Sequence, residues 1–451
     1  MIRGELRPML ALATPVVMAE LGWVTMGIVD TLMVGGLGPN AIGAVGLAST
    51  LFIAVAIFAM GLLLGLDPLV AQAFGARRLD ECHRWLVAGM WLSVLVAPPM
   101  MAVLVAVQAL LGRWGLPPDV LALVQPYLAI LTWSLPPLLL YVSFRRYLQA
   151  MSRVRPVMFA LIAANLVNAA ANWVLVYGHL GMPAMGVPGS AYATLLSRII
   201  MAGSLLVAII RHEARVTPRL RDTPMHLDLS RVRRLFVLGI PAAGQTALEV
   251  GVFAAASALA GRLSANALAA HQIALNLAAL TFMVPLGVAS AAAVRVGQAI
   301  GRGDCRGAAS AGWTAIALGV GFMATTSVIF LAFPHLLIGA FTADAAVIEL
   351  GVSLLFVASV FQLFDGLQGV TTGALRGLSN TRTAMLWNLA AHWFVGLPLG
   401  YALCFRFGWG VIGLWWGLSM GLAICGVGLL RVWMREGTRL LRTTSFSRIS
   451  S

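Results

Sequence analysis

The sequence lacks lysine entirely, because all 30 of its basic residues are arginine. A Walker-A phosphate loop needs a lysine to hold the β- and γ-phosphates of a nucleotide, and Schiff-base cofactor chemistry needs a lysine amine. Both kinds of site are therefore excluded. We do not expect any work done by this protein to be driven by ATP bound to the chain itself.

Charged residues of both signs are scarce, at 10% of the 451 residues, whereas 60% of the residues are hydrophobic. The mean hydropathy is +0.91. A soluble chain of this length could not bury so much apolar surface, so most of the chain is expected to lie in lipid. The formal net charge of +14 comes from arginines in short connections, where they act as topology signals, and no nucleic-acid partner is predicted.

Cysteine is also rare, and the four cysteines are scattered without a C-x-x-C pair. Neither a zinc site nor a disulfide framework is predicted. The sequence shows no metal-ligand spacing, no G-x-S-x-G elbow and no acid pair on a soluble scaffold. We therefore do not expect an enzyme.

Apolar runs long enough to cross a bilayer recur twelve times. A span needs about 20 apolar residues. The runs cover residues 9–34, 45–70, 86–111, 120–144, 157–178, 187–210, 235–261, 268–293, 309–333, 346–374, 384–405 and 410–433. The predicted fold class is an all-α membrane protein with twelve transmembrane helices.

Arginines divide the connections between these runs into two alternating sets. The poor set carries only Arg113, Arg262 and Arg406. The rich set carries Arg77, Arg78, Arg84, Arg145, Arg146, Arg153, Arg155, the arginines of 211–234, Arg295, Arg302, Arg306, Arg376 and Arg382. By the positive-inside rule the rich set and both termini are cytoplasmic, and we expect a multi-pass protein of a bacterial-type inner (plasma) membrane.

The chain repeats itself with a shift of 226 residues, which indicates two halves. Without gaps this shift places Pro15 on Pro241, Leu37 on Leu263, Asn40 on Asn266, Ala44 on Ala270, Leu51 on Leu277, Gly61 on Gly287, Gln72 on Gln298 and Gly75 on Gly301. The predicted domains are an N-lobe with helices 1–6 (1–210), a cytoplasmic linker (211–234) and a C-lobe with helices 7–12 (235–451). Two pseudo-symmetric six-helix bundles around a central cleft are typical of transporters.

Carboxylates inside the predicted spans are candidate functional groups, because a charge near the bilayer centre costs about 2.5–3.5 kcal/mol. They are Glu20, Asp30, Asp67, Glu249 and Asp365. Arg198 is the only arginine predicted well inside a span, so we expect no arginine to neutralise most of these acids. For Asp30 an ordinary interfacial charge is an alternative, and for Asp67 a helix-end or gating group is the favoured interpretation.

Amides recur near these acids at helical spacing. Gln245 lies one turn from Glu249, and Gln362, Asp365 and Gln368 form one polar stripe with Thr372. Two further sets are Asn165, Asn168 and Asn172 in the fifth span, and Gln272 and Asn276 in the eighth. These amides either line a cavity or hydrogen-bond neighbouring helices, and a protonated structural Glu249 is likewise an alternative.

Five blocks of sequence resemble one known family. They are PVVMAELGWVTMGIVDTLMVGGLG, GLLLGLDPLVAQAFGA, NAAANWVLVYG, the ALEVG to VGQAIG segment with its AAHQIALN core, and FDGLQGVTTGALRGLSNTR. Over roughly residues 6–435 the chain is similar to the MATE (multidrug and toxic compound extrusion) transporters, in particular to the NorM-like branch.

This resemblance implies specific roles for the polar residues. Asp30 in G-x-x-D-T would be the N-lobe acid, and Glu249 and Asp365 would be the C-lobe acids that bind the coupling ion, H⁺ or Na⁺. The resemblance places organic cations in the central cavity, where we expect Gln245, Asn276, Gln362, Gln368, Asn168 and Asn172. Asn172 departs from a branch of the family that has Asp there, which weakens an N-lobe proton site built on two acids.

The expected function is a cation-coupled antiporter that exports organic cations, drugs and toxic compounds by alternating access. We expect a monomer in membrane lipid with no cofactor except the coupling ion. One alternative is a flippase or exporter of a lipid-linked or polar precursor, which would need several cavity arginines. Another is a non-transporting membrane scaffold, for which the buried carboxylates would have no purpose.

Overall fold

Helices make up nearly all of the structure, a computed structural model that describes residues 2–213 and 220–447. Part of the predicted linker, residues 214–219, lies outside the described residues. The α-helices are α1 (Ile2–Gly35), α2 (Pro39–Leu62), α3 (Leu66–Gly75), α4 (Leu79–Leu110), α5 (Pro118–Trp133), α6 (Leu135–Ala150), α7 (Arg155–Tyr177), α8 (Val187–Glu213), α9 (Leu229–Gly261), α10 (Ala265–Gly301), α11 (Cys305–Ala332), α12 (Pro334–Gly339), α13 (Ala345–Gly377), α14 (Thr381–Asn388), α15 (Leu397–Tyr401) and α16 (Gly410–Ser447).

The predicted number of spans is confirmed. Among the described residues, eleven helical segments are long and apolar enough to cross a membrane, and the pair α5 and α6 makes a twelfth if it is one bent span. The two helices of this pair meet at 43°. Pro136 and Pro137 at the start of α6 have no backbone N–H to continue the hydrogen bonding of α5, which explains the break.

Two other spans are also built from more than one piece. A short 3₁₀ turn, Leu63–Gly65, joins α2 to α3. Two π-helical stretches, Leu389–Gly396 and Ala402–Arg406, flank α15 in the eleventh span. Apolar runs in a sequence locate such spans but carry no signal for these changes of helix type.

Aspartate side chains fix where α9 and α13 begin. Oδ1 of Asp344 accepts the backbone N–H groups of Ala346 (2.9 Å) and Val347 (3.2 Å) at the start of α13. Oδ1 of Asp228 does the same before α9, and it also accepts the hydroxyl of Ser230. The Ser230 hydroxyl and the backbone N–H of Arg231 lower the pKa of Asp228. Such caps stabilise a helix start because they satisfy backbone N–H groups that have no acceptor within the helix.

The helices pack into two compact units. The N-unit is Met18–Ala243, and the C-unit is Met1–Val17 together with Gly244–Ser451. In the N-unit, α2, α4, α5, α6 and α8 surround an apolar core. In the C-unit, α13 is central and packs against α10, α11 and α16. The lobe boundaries drawn from the sequence remain a prediction, since α1 and α9 each begin in one unit and end in the other.

Two glycine contacts have the same 226-residue relationship as the sequence repeat. In the N-unit, a Cβ on Gly61 would lie 2.5 Å from Cα of Ala243. In the C-unit, a Cβ on Gly287 would lie 3.0 Å from the backbone N of Val17. Gly61 and Gly287 are one repeat apart, and so are Val17 and Ala243. Each unit therefore uses the same close helix approach, which supports the repeat.

The close contact between α10 and α13 predicts that adding one methyl group at Gly373 destabilises the protein. A Cβ on Gly373 would lie 2.2 Å from the carbonyl oxygen of Ala289, so Gly373→Ala must push the two helices apart. We expect a loss of about 1–3 kcal/mol, typical of overpacking, measured as a lower unfolding temperature in detergent. Gly321→Ala on α11 is the control, because no atom lies within 4 Å of its Cβ position. Equal effects of both changes would contradict the prediction.

Candidate functional site

In the N-unit, Asp30 of α1 is the centre of a buried polar cluster. Its Oδ1 accepts hydrogen bonds from Nδ2 of Asn168 (3.0 Å) and Nδ2 of Asn172 (2.8 Å), which are one turn apart on α7. Its Oδ2 accepts the hydroxyl of Thr194 on α8 at 2.9 Å. The structure thus brings together the three N-lobe residues predicted from sequence. Only 7% of Asp30 is exposed, which argues against an ordinary solvated charge.

Arg198 lies one turn after Thr194 on α8, and its charge interacts with that of Asp30. The guanidinium stands 4.4 Å from the ring centroid of Phe52 and donates to the hydroxyl of Ser134. The buried carboxylate therefore has three hydrogen-bond donors and a cation in its own unit. Thr194 was missed in the sequence because a lone threonine in an apolar run has no periodic partner.

In the C-unit, Glu249 of α9 is the acceptor for three amides. Its Oε1 accepts Nδ2 of Asn388 at 2.7 Å, Nε2 of Gln245 at 3.1 Å and Nε2 of Gln368. Gln245 is also 3.4 Å from the Thr372 hydroxyl. Gln245 is therefore beside Glu249, as its helical spacing predicted, and Gln368 reaches the same carboxylate from the predicted polar stripe of α13. Asn388 was missed, because it is a single amide at the end of α14 with no polar stripe around it.

Asp365 of α13 is the second carboxylate of this cluster, and it is only 9% exposed. Its charge interacts with that of Glu249. Within residues 2–213 and 220–447, Asp365 accepts no hydrogen bond. Two interacting carboxylates repel each other when both are ionised, so this pair favours binding of a proton or a cation.

Two residues of the predicted cavity lie elsewhere. Gln362 is fully buried, and its Nε2 donates to the hydroxyl of Thr281 on α10 at 2.6 Å. This is the interhelical hydrogen bonding that the sequence left open for the amides. Asn276 is exposed on α10, and the structure does not bring it to Glu249. A cavity role for these two residues stays a prediction.

The helix of the fourth span continues beyond residue 144, where the sequence predicted its end. Arg145 and Arg146 lie within α6, not in a connection. Arg145 donates from Nη2 to Oε1 of Glu20, and Nη1 of Arg146 is 3.4 Å from Oδ2 of Asp67. An apolar run ends at a charge, so the span was predicted to stop at residue 144. The helix continues because each of these arginines pairs with a buried carboxylate.

The polar clusters around Asp30 and Glu249 contain carboxylates, amides and hydroxyls. These groups can bind a proton or a cation through their oxygen atoms. The described residues contain no group of three or more His, Cys, Asp or Glu side chains that could hold a metal ion. The cluster around Glu249 and Asp365 offers carboxylate and amide oxygens to a cation such as Na⁺. The same two carboxylates could instead take up a proton, and the unpaired state of Asp365 favours either event.

The helices and their polar clusters together define the class of protein. Long apolar helices with buried carboxylates and amides make this a multi-span all-α membrane protein. The MatE family model matches residues 15–174 and 241–402, and these two blocks begin 226 residues apart, like the repeat. The chain belongs to the MATE family.

Curated relatives and solved structures agree over nearly the whole chain. The chain is 40% identical to the probable multidrug resistance protein NorM of Mesorhizobium japonicum, covering 96% of this chain and 94% of that protein. It is 37% identical to the multidrug resistance protein NorM of Burkholderia vietnamiensis, over 94% of this chain and 92% of that protein. The eukaryotic MATE transporter AtDTX14 has the same fold, with a TM-score of 0.87 and 21% identity. The match covers 97% of this chain and 98% of that chain.

Proposed function

We propose that this protein is a cation-coupled antiporter that exports organic cations, including drugs and toxic compounds. The observation that carries the proposal is the pair of Glu249 and Asp365, whose charges interact and which forms no salt bridge with an arginine among the described residues. Relatives named multidrug resistance protein NorM support the export of drugs. The coupling ion is H⁺ or Na⁺, and no other cofactor is proposed.

The proposed mechanism is an exchange at shared carboxylates. When the site is open to the cytoplasm, the ionised pair attracts a cationic, partly apolar substrate. When it is open to the outside, a proton or Na⁺ neutralises the pair, so the substrate loses its counter-charge and leaves. The amides of Gln245, Gln368 and Asn388 hold Glu249 in place during both events.

The energy of one ion is sufficient for useful export. One charge moving down 100 mV supplies about 2.3 kcal/mol, and a tenfold concentration ratio requires about 1.4 kcal/mol. One coupling ion therefore sustains a gradient of some tens-fold for a neutral solute. The charge of a cationic substrate offsets part of this gain.

The proposed location is a bacterial-type inner membrane with both termini in the cytoplasm, as the arginine distribution predicts. The protein would act as a monomer within membrane lipid. The flippase alternative has less support, because Arg145 and Arg146 pair with Glu20 and Asp67. These arginines are already neutralised, and a pyrophosphate headgroup would need several free ones.

Purified protein in sealed vesicles tests antiport and identifies the ion. A fluorescent organic cation is followed while first a Na⁺ gradient and then a pH gradient is imposed alone. We expect one of the two gradients to drive movement of the cation against its own gradient. Vesicles without protein and vesicles with Asp365→Asn protein are the controls. Antiport is refuted if neither gradient drives more movement than in the empty vesicles.

A further inference from the structure

The C-unit has an open groove on its surface that the proposed transport site does not use. The groove has a volume of about 740 Å³ and lies between α9 and the end of the eleventh span. Its walls are small or apolar and include Ala255, Ala258 and Leu397, and Arg262 and Arg406 also line it. This size is within the range of roughly 300–1,000 Å³ that is usual for ligand sites.

The two arginines of this groove are available for an anion. Both are exposed, and neither has a carboxylate partner within residues 2–213 and 220–447. The guanidinium of Arg262 lies 5.8 Å from the ring centroid of Phe405. A smaller cavity in the N-unit differs in this respect, because Glu81 accepts two hydrogen bonds from its Arg231, at 2.7 and 3.1 Å.

The position of the arginines indicates the level of lipid headgroups. Arg262 directly follows α9, and Arg406 ends the eleventh span. Large aromatic side chains surround the second of these helix ends, where Tyr401, Phe407 and Trp409 are all exposed. Aromatic belts of this kind mark the boundary between membrane and water. The groove therefore runs from the headgroup level into the apolar layer.

We propose that this groove binds one anionic phospholipid on the membrane face opposite the arginine-rich connections. An acyl chain would lie along Ala255 and Ala258, and the phosphate would lie between Arg262 and Arg406. Guanidinium groups form charge-assisted, often bidentate hydrogen bonds with phosphate oxygens. A zwitterionic lipid binds less well, because its own cation competes with the arginines.

The same structural elements carry the polar cluster of the C-unit. Ala255 lies about 9 Å along α9 from Glu249 at 1.5 Å per residue. Asn388, which donates to Glu249, belongs to the eleventh span. A lipid in the groove would therefore hold together two elements whose contact positions Glu249. We expect added anionic lipid to raise the unfolding temperature of the purified protein.

Native mass spectrometry of detergent-solubilised protein tests the lipid site. The protein is titrated with phosphatidylglycerol and with phosphatidylcholine of the same acyl chains. We expect phosphatidylglycerol to bind more tightly, and its first binding event to weaken about fivefold in Arg262→Ala and in Arg406→Ala. The double alanine variant should lose about 25-fold.

Arg113→Ala is the matched control, since Arg113 is an exposed arginine on the same predicted face but does not line the groove. It should leave binding unchanged. The proposal is overturned if the double alanine variant binds phosphatidylglycerol as tightly as the unmodified protein, or if phosphatidylcholine binds equally well. Saturable binding of glycerol 3-phosphate with the same affinity would identify a site for free phosphates and not for a lipid.

Discussion

Glu249→Gln is expected to lower ion-driven efflux of a fluorescent organic cation about ten- to a hundredfold, while the protein still reaches the membrane. Glutamine has the size of glutamate and keeps one carbonyl oxygen for the amides of Gln368 and Asn388. It lacks the negative charge that binds the cation. Contacts to a charged group are worth about 1.5–3 kcal/mol, which corresponds to the expected loss of rate.

The control for this change is Glu349→Gln, because Glu349 is an exposed carboxylate at the start of α13 in the same unit. It should leave efflux unchanged. Efflux is measured in cells and in vesicles with matched amounts of protein, so that poor insertion is not mistaken for lost activity. Full activity of Glu249→Gln would show that the coupling ion binds elsewhere, for example at Asp30.

Asp365→Asn is the second arm of this experiment, and it separates a coupling site from a structural one. Asp365 accepts no hydrogen bond in the described part of the chain, so the substitution removes a charge and breaks no hydrogen bond. We expect efflux to fall as it does for Glu249→Gln, while the unfolding temperature stays the same or rises as repulsion with Glu249 is removed. Lost stability with full efflux would instead give Asp365 a structural role and not a coupling role.

The acids of these sites could be predicted from the sequence because each one is a charged residue in an otherwise apolar run. Asp30, Glu249 and Asp365 stand out since a charge within an apolar run is costly without a function. The periodic amides Asn168 and Asn172 were predictable for the same reason. Thr194 and Asn388 were not, because a single hydroxyl or amide in a helix has no pattern, and only the packed structure places it beside a carboxylate.

The limits of the helices were harder to predict than their number. Window hydropathy located twelve spans, but it ended the fourth one before Arg145. Glu20 and Arg145 are 125 residues apart in the chain, and no local pattern links them. Pairing over such a distance is a property of tertiary packing, which also sets the break between α5 and α6 and the π-helical stretches of the eleventh span.

Arg145→Ala is expected to destabilise the protein by about 3–5 kcal/mol, because it leaves the Glu20 carboxylate largely buried without its partner. Only 13% of the Glu20 side chain and 7% of that of Arg145 are exposed. The loss should appear as a lower unfolding temperature of purified protein in detergent and as a smaller amount of protein in the membrane. The effect arises in the N-unit, so it does not depend on the coupling ion.

Two further variants show whether the loss of stability comes from the unpaired charge of Glu20. The double change Glu20→Leu with Arg145→Met removes both charges and should recover most of the stability, since apolar residues of similar volume often replace a buried ion pair without loss. Arg84→Ala breaks an exposed pair, with 46% of the Arg84 side chain exposed and 3.7 Å between Arg84 and Glu81. It should cost no more than about 1 kcal/mol. An equally small loss of stability for Arg145→Ala and Arg84→Ala would contradict the prediction. It would mean that water or another side chain solvates Glu20 when Arg145 is removed.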